Sequence, residues 1–259
     1  MWDASDLPRV DLRDLDSTTQ IMTGLAVHGI TIFHRGAGRD ELLHAAQSLI
    51  TIRTHRDSDP DGVTAIVQRP SVLGATGLTG FTDHELWPHT DGSAVDRPPR
   101  VLMLACVRPA RAGGHSHLVD GRDLYDEIAA TDPVMLTALS APRTAYFGGS
   151  SGHLGAVFEQ TDQGRVSIRL RLDEMARFSP TVRPYADRLR TLVQDRTVAV
   201  DLRAGDGYIV LNDRWLHGRS WFTGQRLMLR VLGDPMPHVA LPGGFRPTVT
   251  PRSAALRAA

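Results

Sequence analysis

The chain has 259 residues, 29 basic against 29 acidic, and a hydrophobic share of 41%. That balance leaves no broad cationic field for nucleic acid or an anionic membrane surface, and no apolar run approaches the length of a bilayer span. Cys106 is the only cysteine, which excludes an internal disulfide or thiolate metal cluster, and the acidic start MWDASDLPRVDLRDLDS does not read as a signal peptide, so a soluble cytoplasmic protein is expected.

Ser17 to His28 has helical character and stops near Gly29; Ile30 to His34 is a short β-rich run. Asp40 is placed to cap a second helix carrying Leu42, Leu43, Ala46, Leu49 and Ile50 on one face. THRDSDPDG (54–62) reads as a solvated turn or a lid. From about residue 100 strands dominate, with RVLMLACV (100–107) as a buried run and HLVD (117–120) as a short one. A helical insert covers Arg122–Ala130 and restarts at Asp132, an N-cap followed by Pro133 at the first helical position. TAYF, GAVFEQ and RVSIRLRL are further strands between Gly-rich turns. Ser179-Pro180 opens another helical stretch, with Ala186, Leu189, Leu192 and Val193 on one face. TVAVDLR, YIVL and RLMLRVL follow, separated by turns at Ala204 to Gly207 and at Asn212-Asp213.

No internal repeat or long linker interrupts this pattern, so a single domain over 1–259 is expected. The fold class is mainly β with flanking helices (α+β), built as a double-stranded β-helix, a jelly roll or cupin-like barrel. Residues 1–80 form a helix/strand region packed on the barrel. Residues 81–240 form the jelly-roll core, with helical inserts near 121–140 and 180–196.

The stretch WPHTDGS holds His89 and Asp91, two apart at a strand end. Side chains so spaced point to the same side and can grip one ion. Imidazole nitrogen and carboxylate oxygen suit a borderline divalent metal such as Fe(II) or Mn(II). His217, in NDRWLHGRS, follows strand, turn and strand, and is the candidate third ligand. Two imidazoles and one carboxylate leave such an ion a net positive charge and open positions, which favours an anionic co-substrate. All 29 basic residues are arginine, so no lysine Schiff base or Walker lysine exists, and any anion must be held by guanidinium groups. Arg226 and Arg230, four apart in QRLMLR, share a strand face suited to that task.

The order HTDGS, then PPR, an apolar strand, GGHS, and much later NDRWLHGR with RLMLR, resembles the Fe(II)/2-oxoglutarate dioxygenases of the taurine dioxygenase (TauD/TfdA) and clavaminate synthase type, over roughly residues 80–233. The resemblance implies His89, Asp91 and His217 as iron ligands and Arg226 as the partner of the distal carboxylate of 2-oxoglutarate. Ser116 falls where the family has a threonine whose hydroxyl helps hold that carboxylate; His115 replaces the family's acidic residue. Arg230 matches a position that in several members meets an anionic group of the substrate, and Trp87, beside His89, is a candidate substrate contact. The activity implied is hydroxylation of an unactivated C–H bond with molecular oxygen, releasing succinate and CO2. The presence of Asp91 favours hydroxylation over halogenation. A small polar metabolite, an amino acid or natural-product intermediate, is the expected substrate. Nothing in the sequence sets an oligomeric state.

Four other readings compete. His115 and His117 form a His-x-His pair of cupin type, but the next acids are Asp120 and Asp123; one of the two is expected to face the cavity. Gly148 to Gly152 fits G-x-S-x-G, with Asp206 and His217 in triad order, yet the required helix after the serine is missing, so a Ser-His-Asp hydrolase is disfavoured. Asp57, Asp59 and Asp61 imitate an EF-hand start, but position twelve is Gln68 and Pro60 intrudes. A non-catalytic metal or small-molecule binding module on the same fold is the rival from another class. Trp215 and Trp221 read as packing residues, Cys106 as inert, and Arg169 with Arg171 as one strand face.

Overall fold

A computed structural model describes residues 4–36, 38–69, 71 and 76–249. It is a mixed α+β structure, mostly sheet. A seven-stranded sheet runs in the order Arg9–Asp11, Ile30–His34, Gly207–Leu211, Val101–Arg108, Leu227–Pro235, Ile50–Ile52, with Thr64–Ile66 also paired to Leu227–Pro235. Its pairings are antiparallel except the first. A four-stranded sheet runs Val198–Val200, Ser116–Asp120, Trp215–Arg219, Leu86–His89. Three small ribbons complete the β structure: Ala145–Gly148 between Gly152–Gly155 and Ala176–Phe178; Phe158–Thr161 with Arg165–Ile168; Ala112–Gly113 with Phe222–Thr223.

The two-residue period of the central strands sorts their side chains into two cores. Met103, Ala105, Ile209, Leu211, Leu229 and Val231 pack with Ile21, Leu25, Leu42 and Leu49 of the helices Ser17–His28 and Arg39–Leu49. Leu102, Leu104, Cys106, Tyr208, Val210, Met228 and Leu232 pack with Leu118, Val200 and Trp215 from the second sheet. Both faces of the long strand are therefore covered, which is why RVLMLACV reads as an unbroken apolar run.

Residues 9–66 contribute four strands to the large sheet rather than only packing on a barrel begun at residue 81. Ile30–Phe33 is buried along its whole length, so this segment lies inside the sheet. Asp40 is not a cap: the helix starts at Arg39 after Gly38, and Asp40 and Glu41 lie in its first turn, where they favour the positive end of the helix dipole. The insert is two helices, Gly121–Thr131 and Pro133–Ser140, with Asp132 accepting a hydrogen bond from Met135 N as its sequence position demands. In the 180–196 region, helix Ala186–Asp195 follows a short 3-10 turn and buries Leu189 and Val193. Among the described residues no helix is long and apolar enough to cross a membrane.

Candidate metal centre

His89 ends the strand Leu86–His89 and His217 lies in the middle of Trp215–Arg219; the two residues sit directly opposite each other in this antiparallel pair. Their rings are 4.6 Å apart with planes tilted by 43°. The Nε2 atoms of His89 and His217 lie 3.5 Å and 3.9 Å from the same Asp91 Oδ1. One ligand atom from each residue falls within 4.8 Å of the others. Two glycines allow this approach. Gly92 turns the chain after Asp91 at φ 67°, and a Cβ there would meet Pro99 Cδ at 2.7 Å. A Cβ on Gly218 would stand 2.4 Å from the Leu86 carbonyl oxygen, forcing the two histidine strands apart.

Asn212 fixes the position of Asp91. Its buried side chain accepts from Asp91 N at 2.7 Å and donates to the carbonyls of Asp91 and Pro99, each at 2.8 Å. The sequence marks this residue only as part of a turn. Thr90, pointing the other way, ties the segment to the Leu170 backbone.

The protonation states suit a metal. His89 Nδ1 is 2.9 Å from the Trp87 carbonyl and must donate to it, which leaves the Nε2 lone pair facing Asp91. Burial pushes His217 down to about 3, helped by its neighbour His89, so its imidazole is neutral. Its Nδ1 is buried without a hydrogen-bond partner. Burial by itself would raise Asp91, but the Arg230 guanidinium beside it leads the opposing effects and the carboxyl is held well below its usual range. Arg230 Nη1 donates to Asp91 Oδ2 at 2.8 Å. The neutral imidazole of His217, the Nε2 atom of His89 and the ionised carboxylate of Asp91 form a donor set that fits a divalent ion.

The cluster opens into a cavity of about 480 Å³, lined by seven arginines and three aspartates among the described residues. Most of that positive charge is committed. Arg171 forms a two-pronged pair with Asp173, Arg53 pairs with Asp234, and Arg56 with Asp57. Buried Arg219 donates to the carbonyls of Thr79, Thr82, His84 and Ser220, so it pins the 79–84 wall; burial, then the nearby Arg226, pulls it down to about 10. Arg226 differs. It is buried, its guanidinium lies 5.7 Å from the Phe222 ring, burial lowers its pKa, and it has no ion pair with an acid among the described residues. Arg226 and Arg230 both line the cavity, as their spacing predicts.

Other predicted site residues lie elsewhere. Trp87 does not line the cavity: its ring carries the Arg190 guanidinium at 4.8 Å, so it supports the strand from behind. Ser116 is buried and does not line the cavity; Tyr208, which the sequence shows only as core, does. Neither His115 nor His117 reaches the cavity: His115 is near Asp201, and His117 lies on the strand between inward-facing Ser116 and Leu118. The 53–57 segment does line the mouth, and His55 is there with Nδ1 accepting from Asp57 N. The EF-hand imitation is a salt-bridged turn in which Arg39 binds Asp59 and Asp61, each at 2.7 Å. Ser150, the serine of that motif, lies in the hairpin turn between paired Gly148 and Gly152 with no following helix, and Asp206 binds His34 at 2.7 Å, so no hydrolase triad forms. Cys106 is buried, its thiol pushed up to about 11 by that burial, and inert as expected.

A His-Asp-His cluster that could hold a metal ion, with a buried arginine in the same cavity that has no acidic partner among the described residues, is the arrangement expected of non-haem iron, 2-oxoglutarate-dependent dioxygenases. The chain belongs to the taurine catabolism dioxygenase TauD, TfdA family, which matches residues 2–232. It is 26% identical to a uridine-5'-phosphate dioxygenase of Streptomyces sp over 88% of this chain and 92% of the relative. In fold it is similar to asparagine oxygenase, solved with Fe(II), 3-hydroxyasparagine and succinate, at 15% identity and a TM-score of 0.63, with 86% of each chain covered. It is also similar to the non-heme iron oxygenase OrfP, solved with Fe and alpha-ketoglutaric acid, at 17% identity and a TM-score of 0.62, covering 86% of this chain and 83% of the other.

Proposed function

We propose that this dioxygenase hydroxylates an unactivated C–H bond of a small anionic metabolite, an amino acid or a natural-product intermediate, with His89, Asp91 and His217 as the iron ligands. The observation that carries the assignment is the convergence of these three side chains in one cavity with Arg226. Iron(II), 2-oxoglutarate and oxygen together supply the oxidising power, and the keto acid is released as succinate and CO2. The protein's own part is placement and charge. Trp87 O holds His89 in the tautomer that offers Nε2, Asn212 holds the Asp91 backbone, and Arg230 keeps the Asp91 carboxylate ionised and oriented. Arg226, desolvated and free of acids, anchors the distal carboxylate of 2-oxoglutarate. The wall pinned by Arg219 and the 53–57 segment restrict water and orient the substrate over the metal.

Two observations support an anionic substrate: the cationic excess of the cavity, and the near full-length likeness to a uridine-5'-phosphate dioxygenase. The second observation favours a nucleoside monophosphate as an alternative to an amino acid. Succinate formation, measured with panels of amino acids and of nucleoside monophosphates, tests both. Stimulated turnover by a member of either panel identifies the class, and no stimulation by any compound rejects the substrate assignment. Oxygen-dependent loss of 2-oxoglutarate separates the enzyme from a non-catalytic binding module. The two main sheets are read as the halves of a distorted jelly roll in one domain, working in the cytoplasm, where a lone buried thiol such as Cys106 stays reduced.

A further inference from the structure

Residues 92–97 follow the candidate ligand Asp91 and border the metal cavity through Gly92, Ser93, Ala94, Val95 and Arg97. One guanidinium fixes their backbone. Arg169 donates to the carbonyls of Ser93 at 3.2 Å, Val95 at 2.8 Å and Asp96 at 3.1 Å. Arg169 lines a separate cavity, which shares Thr90 and Pro99 with the metal cavity but holds none of the three candidate ligands. In a trans peptide the N–H points opposite to the carbonyl of the same unit. The N–H groups of Ala94, Asp96 and Arg97 therefore face away from Arg169. None of the three has a hydrogen-bond partner among the described residues. The next carbonyl, Arg97 O, accepts from Arg53 Nη1 at 2.7 Å, and the residue after it is Pro98, which has no N–H.

An independent feature lies at the same place. Ser93 is 1% exposed and lines the metal cavity, yet its Oγ has no hydrogen-bond partner among the described residues. A buried hydroxyl in that state is destabilising until a ligand supplies the partner. Arg97 is exposed at the same cavity and pairs with no acid among the described residues. The acids of the cavity are each held by another arginine: Asp57 by Arg56, Asp91 by Arg230 and Asp173 by Arg171. Asp96 does not line the cavity; its exposed carboxylate lies 3.0 Å from His153 Nδ1.

On the reading of this cavity as the site of an anionic substrate, we propose that residues 92–97 form a phosphate-binding turn. Ser93 Oγ, the N–H groups of Ala94, Asp96 and Arg97, and the Arg97 guanidinium hold a phosphate monoester of the substrate. Three amides, a hydroxyl and a guanidinium outnumber the roughly four acceptor sites of a carboxylate. A phosphate monoester spreads three terminal oxygens as a tetrahedron, which suits amides presented by a turn. Gly92, at φ 67°, reverses the chain directly after Asp91. The Cα of Ser93 is at most about 7 Å from that of Asp91, the span of two extended residues. The phosphate is thus held beside the ligand cluster without using its atoms, which brings the carbons nearest the phosphoester within reach of it. Of the two substrate classes, this turn selects the phosphorylated one.

The test is a titration of the isotope-labelled, metal-free, full-length protein with inorganic phosphate at about pH 8, where the dianion dominates. Amide NMR reads it, with chloride at equal ionic strength as the blank. Saturable shifts are expected at the amides of Ala94, Asp96 and Arg97, larger than those around Arg226. Ser93→Ala is expected to weaken phosphate about 5-fold, the loss of one hydrogen bond, and Arg97→Met about 10-fold, the loss of a charge-assisted one. In turnover, both variants should raise the KM for a nucleoside monophosphate and leave that for 2-oxoglutarate within about 2-fold. No saturable shift at the three amides, shifts centred on Arg226 instead, or phosphate affinity unchanged in both variants would each overturn the proposal. The first two are read in the wild type and do not depend on any variant folding. Phosphate that saturates the turn, while no nucleoside monophosphate stimulates succinate formation, would uphold the phosphate site and reject the parent reading of the substrate.

Discussion

Two cavities of nearly equal size lie back to back, sharing Thr90 and Pro99 as part of their walls: the metal cavity of about 480 Å³ and a second of about 510 Å³. Both contain several arginines. In the second, Arg165 donates to the carbonyls of Gly243 and Gly244, Arg169 to those of Ser93, Val95 and Asp96, and Arg100 to Leu241 O and Asp213. Those guanidiniums tie loops together. In the metal cavity, Arg226 has no such commitment among the described residues and lines the same cavity as the three converging ligand residues. Size and residue type are alike; what separates a binding site from a structural one is charge left without a partner, because only that charge gains by meeting a ligand.

The comparison can be broken most severely at the ligands. His217→Ala should remove bound metal and lower succinate formation by at least about 100-fold, beyond the 10–100-fold cost of losing an outer partner; metal analysis beside the turnover assay checks both. Arg226→Met should raise the KM for 2-oxoglutarate roughly 10- to 100-fold, whereas Arg165→Met should leave that KM within about 2-fold and lower Tm instead. If Arg165→Met disturbs 2-oxoglutarate use as much as Arg226→Met does, the distinction between the cavities fails.

Asn212→Ala tests the wall between them. It leaves the Asp91 and Pro99 backbone groups unsatisfied, so a loss of about 1–3 kcal/mol is expected in denaturant unfolding, together with weaker metal binding. A smaller effect is expected from pH on the metal-free protein. His217 titrates near 3 when folded against an ordinary 6.5, and burial also lowers His55 and His117. The unfolded chain therefore takes up protons below 6.5 that the folded protein refuses, and stability must fall as pH drops through that window. Urea midpoints at about pH 7 and about pH 5 measure the slope, and a flat profile would contradict the buried neutral state of these imidazoles. Trp87→Phe, behind the site, should change substrate KM by less than about 2-fold, and a large change would move Trp87 into the cavity.

Local chemistry made part of this site legible. His89 closes its strand with Asp91 in the turn two residues on, His217 follows a recognisable turn, and Arg226, just before the strand Leu227–Pro235, lines the same cavity as Arg230 within it. Those features depend on residue type and short spacing along the chain. Residues that act across strands were hidden. Tyr208 stands in an apolar run whose alternate residues belong to different cores, and Asn212 looks like any turn asparagine until it is placed against Asp91. The pairing of Arg230 with Asp91 links positions 139 residues apart.

By itself the sequence determined which residues are able to ligate a metal, the absence of lysine, the helical inserts and the strand-rich composition, because these depend on side-chain type and short-range periodicity. Only the tertiary structure decided that Tyr208 and not Ser116 lines the cavity, which buried arginine of that cavity has neither an acid nor a carbonyl as partner among the described residues, and that the N-terminal strands join the main sheet. Those outcomes depend on strand register, where a shift of one residue turns every side chain to the opposite face.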